Sequence, residues 1–196
     1  MFGAKSLTIF TAALAAICST VSAAPTKTSK AIRDYTGVAP AGATHSVVVG
    51  RGGLLFDPQN VVAEIGDIVE FHFTSRNHSV AQSNFANPCQ PIGPDAFFSG
   101  FNFVTQYGQN PNVFQITIQD KKPVWYYCAQ TNMNHCQMGM AGVINQNFDT
   151  NEFTLAKYKE AAAAQLAYGI SSIAPALVGG NLNARVIPNP NPYSGF

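Results

Sequence analysis

Cys128, His135 and Met140 follow one another at a spacing that can close one side of a mononuclear copper site, and His78, about fifty residues upstream, is available as the missing ligand. Thiolate, thioether and two imidazoles make a soft, unsymmetrical donor set. Such a set selects copper over magnesium, calcium or manganese and suits cycling between Cu(I) and Cu(II).

The chain has four cysteines, and the first falls in a segment with the features of a leader. Lys5 supplies the positive start, Leu7 to Cys18 the apolar stretch, and Val21-Ser22-Ala23 or Ser22-Ala23-Ala24 a small-residue cleavage site. Residues 1–24 are therefore expected to be a signal peptide, which puts the product in an oxidising, extracellular setting. Cys89, Cys128 and Cys136 then remain, an odd number where a leftover thiol is oxidised or paired unless protected. If Cys89 and Cys136 pair, Cys128 is free to serve as a metal-bound thiolate. The alternative pairs Cys128 with another cysteine and leaves a free thiol elsewhere.

The 196 residues carry a formal charge of +1, of which Lys5 belongs to the leader, so neither nucleic acid nor an anionic membrane is indicated as a partner. Only 11% of residues are charged and 14 are Phe, ample material for a core. No second apolar run approaches the roughly 18 residues that span a bilayer, and the C-terminus lacks a lipid-anchor tail. A monomer is expected.

Behind the ligands stand short β-rich runs: His45 to Gly50, Val61 to Ile65, Asp67 to Thr74, Val113 to Ile118, Val124 to Ala129 and Met140 to Asn145. Gly, Pro and Asn separate them. Within one run Val69, Phe71 and Phe73 share a face, while Glu70 and His72 take the other. The pattern predicts an all-β, antiparallel sandwich of about seven strands over residues 44–147, with 25–43 as a flexible lead-in. Glu152 to Ala167 places Leu155, Tyr158, Ala162 and Leu166 at near-helical spacing, so 148–168 is read as a helical extension. Gly, Pro and Asn accumulate in 169–196, which predicts a disordered tail. His45 and His72 are expected in solvent, and Trp125, Tyr126 and Tyr127 in core and rim packing.

Asn77-His78-Ser79-Val80, Asn87-Pro88-Cys89, Trp125-Tyr126-Tyr127-Cys128 and His135-Cys136-Gln137-Met138-Gly139-Met140 together resemble the fungal extracellular cupredoxins, relatives of the plant phytocyanins, over about residues 44–147. The resemblance implies a two-sheet Greek-key sandwich (cupredoxin-like) with one copper at one end. In it His78 comes from an early loop, and Cys128, His135 and Met140 from the loop joining the last two strands. It also implies a Cys89–Cys136 disulfide. Family spacing and the intervening Gly139 favour Met140 over Met138 as axial ligand. Two features depart from the pattern: the spacer between Cys128 and His135 is longer than in plant phytocyanins, and Ser79 stands where blue copper proteins often carry Asn. The second leaves the bracing of the thiolate loop weaker, or supplied by Asn77.

The function expected from these residues is one-electron transfer by a secreted blue copper protein, with a transient redox partner protein or small reductant. Met133 and Met138, with Pro111 or Phe98, are candidates for an apolar collar around His135 where a partner docks. The alternative is a copper-sequestering or cell-wall interaction protein that holds the ion without moving electrons. An enzyme is not indicated: four histidines are too few for a multicopper oxidase, and there is neither a Gly-x-Ser-x-Gly elbow nor an evident acid/base carboxylate pair. Asn77-His78-Ser79, a glycosylation sequon straddling a proposed ligand, is expected to stay unmodified or to point its glycan away from the copper end.

Overall fold

The computed structural model describes residues 42–190. The expected signal peptide, most of the lead-in and the last six residues lie outside the described residues. Nine strands follow in order: β1 (Thr44–Val49), β2 (Phe56–Asp57), β3 (Asn60–Val61), β4 (Ile68–Phe73), β5 (Ala81–Ser83), β6 (Asn112–Thr117), β7 (Val124–Tyr127), β8 (Ala141–Ile144) and, after helix α1 (Leu155–Ala164), β9 (Arg185–Pro188). They form a five-stranded sheet ordered β2-β1-β4-β6-β9 and a four-stranded sheet ordered β3-β8-β7-β5.

The two sheets face each other across Val47, Val49, Phe56, Val69, Phe71, Phe73, Phe114, Ile116, Tyr126 and Ile144. Alternation along β4 sends Val69, Phe71 and Phe73 inward, as the period-two pattern requires. Tyr126 holds the centre, with Phe56 and Phe71 edge-on to its ring at centroid distances of 4.9 and 5.3 Å.

Three features depart from the sequence-based expectation. The sheets are mixed rather than antiparallel, because β1 pairs with β4 and β3 with β8 in parallel. The chain leaves β1, turns back beside it as β2, crosses to the opposite sheet as β3, and returns as β4 to lie beside β1 in the same direction. Second, His72 is buried, not solvated. It lies on the outer face of the five-stranded sheet, its Nε2 2.8 Å from a Glu70 carboxylate oxygen and its Nδ1 against Gln109. Gln115 donates to Glu70 at 2.5 Å and accepts from Arg185 of β9 at 3.0 and 3.2 Å, so the polar face is a linked row rather than a wet one. His45 is half-exposed and sits 2.7 Å from Asp67.

The third correction concerns the tail. Residues 169–190 were expected to be disordered, but they run along the sandwich. Ile173 N–H donates to the Cys89 carbonyl, Gly179 exchanges both backbone bonds with Phe98 at 2.8 Å, and β9 pairs antiparallel with β6. Composition counts only the apolar surface a segment carries itself. This segment is ordered by hydrogen bonds to a ready-made sheet edge and loop, a partner that composition does not reveal. Gly180 permits the approach: a Cβ there would lie 2.6 Å from the Ala96 carbonyl oxygen, and its φ is +105°.

The helix starts three residues later than its apolar spacing suggested, at Leu155, capped by the Thr154 hydroxyl accepting from Lys157 N–H. It covers the outer face of the four-stranded sheet. Tyr158 stacks on Trp125 at 5.3 Å, and its hydroxyl meets Ser83 at 2.6 Å and accepts from Cys89 N–H at 3.3 Å. The extension is thus part of the sandwich. Tyr158→Ala should lower the unfolding free energy by about 3 to 5 kcal/mol, whereas Lys157→Ala, on the exposed side of the same helix, should change it by less than about 0.5 kcal/mol. Paired urea titrations decide whether the helix is integral, and equal midpoints for the two variants would contradict this packing.

Candidate metal centre

Each candidate ligand is delivered by a different constraint. Cys128 directly follows β7, where the inward alternation that buries Tyr126 also turns Cys128 into the core. Its N–H donates to the Met140 carbonyl at 3.0 Å, prolonging the β7–β8 ladder by one pair. His135 lies in the loop between these strands, a coil of tight turns in which its N–H bonds the Gln130 carbonyl and Met140 N–H bonds the His135 carbonyl. Met133 and Asn134 adopt left-handed φ values of 63° and 49° to make the bend. His78 follows β4, in a segment pinned by Arg76 N–H donating to the Thr105 carbonyl at 3.0 Å.

The three side chains meet. His78 Nδ1 and His135 Nδ1 are 3.2 Å apart, and Cys128 Sγ is 3.4 Å from His135 Nδ1. All three donor atoms lie within 4.8 Å of one another, and among the described residues this is the His/Cys/carboxylate group able to hold a metal ion. Exposure is only 1% for His78 and 6% for His135, and Cys128 is fully buried. Burial, above all, lowers the pKa of both imidazoles, His78 to about 4, with the nearby Arg76 charge adding to the effect. Both rings are therefore neutral at pH 7, with lone pairs to offer. Burial raises the Cys128 thiol, so without a cation it stays protonated; a bound metal would displace that proton. One thiolate sulfur and two imidazole nitrogens converging in a buried pocket fit a transition-metal ion.

Cys89 and Cys136 form a disulfide, and among the described residues Cys128 is the free cysteine. Met140 is fully buried in the same cluster as Cys128, whereas Met138 is 61% exposed. The bracing expectation needs correction: Ser79 N–H donates to Cys128 Sγ at 3.3 Å, and the Ser79 hydroxyl accepts from Ala129 N–H at 2.9 Å. A serine thus ties the two ligand loops together. Asn77, the expected substitute, has its Oδ1 buried without a partner.

Three contributors escaped the sequence analysis. Gly50 presses on His78: a Cβ there would lie 2.4 Å from the ring's Cδ2 and Nε2, and its φ is +85°. Gln137 is buried inside the ligand loop, accepting from Ser172 at 3.0 Å and donating to the Ile170 carbonyl and Gln165 at 3.3 Å. It links the ligand loop to the C-terminal extension. Arg76 lines three hollows, of about 270 Å³ beside His78, about 100 Å³ beside His135 and about 510 Å³ beside Val104 and Thr105. Gly50-Arg51-Gly52-Gly53 was a visible cue for the first; nothing local marked the others. Of the proposed collar, Met133 lines the hollows beside His78 and His135, but Phe98 is buried against Phe101.

Fold and site together define a two-sheet β-sandwich with a candidate metal centre of two histidines and a cysteine. No family model matches the chain. It is 32% identical over 127 residues to a protein of Arthroderma benhamiae named "Probable GPI-anchored cupredoxin-1", covering 65% of this chain and 62% of the relative. It is 41% identical over 110 residues to an "Extracellular serine-rich protein" of the same organism, covering 56% of this chain and 41% of the relative. The chain thus spans less than two thirds of either relative. Among solved structures, native pseudoazurin from Hyphomicrobium denitrificans aligns over 63% of this chain and 98% of its own, at 19% identity and a TM-score of 0.38. The sequence resemblance to a fungal cupredoxin, inferred from the motifs, is borne out by the first of these relatives.

Gly50→Ala should push the His78 ring out of place and weaken divalent-metal binding by about 10- to 100-fold. Isothermal titration with Cu(II) measures this, and unchanged affinity would mean that the ring does not need that glycine.

Proposed function

We propose that the protein is a secreted mononuclear blue copper protein that carries single electrons. The observation that carries this is the convergence of His78 Nδ1, His135 Nδ1 and Cys128 Sγ in a buried pocket braced by the disulfide and by Ser79. Met140, buried beside Cys128, is the proposed axial thioether. A copper ion held by these residues would supply one-electron chemistry between Cu(I) and Cu(II).

The chain's own contribution is a donor geometry fixed before the metal arrives. Cys128 is held by the strand ladder, His135 by the turn and the adjoining disulfide, and His78 by the pinned segment and Gly50. Such a frame resists rearrangement when the ion changes charge, so little energy is spent reorganising it. The neighbouring core excludes water. Beyond the three donors, no general acid or base is proposed, and the protein is read as a carrier rather than a catalyst acting alone. Residues 1–24 are proposed to be a removable leader and the mature protein extracellular, a location that the relatives' names support.

Purified protein loaded with Cu(II) should be intensely blue and lose its colour reversibly on reduction. A colourless Cu(I) form that resists oxidation would replace electron transfer by sequestration. Cys128→Ser should abolish the colour while the thermal melt of the metal-free protein shifts by no more than about 1 to 3 kcal/mol, and a Cys128→Ser protein that remains blue would remove Cys128 from the site. Met140→Gln should lower the reduction potential, because a harder oxygen donor favours Cu(II). Voltammetry in which Met138→Gln produces that shift instead would assign the axial role to the exposed methionine.

A further inference from the structure

The hollow beside His78 is walled by Gly50, Gly53, Ser75, Arg76, His78 and Met133, and at about 270 Å³ it has room for a small molecule. Arg76 and Met133 also wall the smaller hollow beside His135, so one cation and one thioether border both ligand rings. Both side chains are exposed, Met133 by 63%. Both residues also hold left-handed backbone angles, φ 82° for Arg76 and 63° for Met133, that non-glycine residues rarely adopt. Strain of this sort concentrates at functional sites.

Charge distinguishes this mouth from the rest of the molecule. Residues 42–190 contain seven Lys and Arg and nine Asp and Glu, so the described body is formally anionic. Arg51, on the segment following Gly50, is paired with Asp57 at 2.8 Å. Among the described residues no carboxylate lies within ion-pair distance of the Arg76 guanidinium. Its field at the mouth therefore opposes the sign of the whole.

We propose that this hollow receives a small anionic one-electron reductant, held by the Arg76 guanidinium with Met133 as the apolar wall. This rests on the copper function proposed above and names the kind of partner it serves. With copper held by His78, Cys128 and His135, the reductant would give up one electron and the ion would pass from Cu(II) to Cu(I). Ascorbate, a convenient probe, would also release one proton to water, and no bond to the protein forms or breaks. The small volume suits a compact anion, whereas a protein partner would cover the rim.

The test has one arm that needs no copper. Titrating the metal-free full chain with hexacyanocobaltate(III), a redox-inert trianion, should shift the amide NMR signals of Gly50, Gly53, Arg76 and Met133. Arg76→Gln should weaken this binding about tenfold at low ionic strength, with the difference fading towards 1 M salt, where screening acts within about 3 Å. Arg76→Lys should restore most of it. Lys122→Gln removes the same charge near the start of β7, at the opposite end of that strand from Cys128, and should leave binding within about twofold. With copper-loaded protein, reduction by ascorbate should slow in Arg76→Gln, while reduction by the cation hexaammineruthenium(II) should not. Shifts absent from the hollow, or equal losses in Arg76→Gln and Lys122→Gln, would overturn the proposal. Loaded protein that is blue but shows no anion binding refutes this inference alone; protein that never turns blue refutes the copper function, whatever the anion titration gives.

Discussion

Two imidazole nitrogens and a sulfur point at one another inside this protein at separations of 3.2 and 3.4 Å, with almost no solvent to separate them. Without a cation, such an arrangement is an uneasy one. Burial keeps both rings neutral, so a single proton shared between two Nδ1 atoms is the most that can bridge them, and the Cys128 thiol is held protonated beside them. A folded chain tolerates clustered lone pairs of this kind only if the frame around them is stiff. The strand ladder at Cys128, the disulfide at Cys136 and the Ser79 hydroxyl between the loops provide that stiffness.

That requirement explains what the C-terminal extension is doing. Cys136 is bonded to Cys89, whose N–H is held by the Tyr158 hydroxyl and whose carbonyl accepts from Ile173. Gln137, next in sequence, is gripped by Ser172, Ile170 and Gln165. The loop carrying His135 is therefore fastened on its outer side by residues some thirty positions later in the chain, while its inner side faces the core. A sandwich ending at residue 147 would leave Cys89, Cys136 and Trp125 exposed on that flank. Helix and tail together close it, so the extension belongs to the same mechanical unit as the site.

Legibility followed the range of the interactions. The candidate ligands were readable because Cys128, His135 and Met140 sit on one loop at short spacing, and the inward face of β4 because period-two alternation is a local property. The helix was readable from Tyr158 and Ala162, which are indeed its buried residues. What escaped were features made by distant segments. His72 looked solvated because its face is polar, yet Glu70, Gln109 and Gln115 enclose it, with Arg185 of β9 continuing the row. Parallel pairing of β1 with β4 is a matter of how the chain crosses between sheets, which alternation does not encode. Ser79 was discounted for lacking an amide, although its hydroxyl accepts the Ala129 N–H and ties the two loops together.

The rim of the site shows the cost of bringing two loops from opposite sheets to one point. Arg76 precedes one histidine by two residues and Met133 the other by two, and each takes a left-handed backbone conformation costing on the order of 1 kcal/mol or more. Glycine would relieve that cost at either position, as it does at Gly50 and Gly139, but would remove side chains that line the hollows beside His78 and His135. A long cationic side chain and a polarisable thioether at strained positions are what a contact surface for a charged partner requires. Left-handed non-glycine residues also occur at Asn145, Leu182 and Asn183, away from this rim, so strain by itself marks no function; at Arg76 and Met133 it coincides with side chains that line the hollows beside His78 and His135.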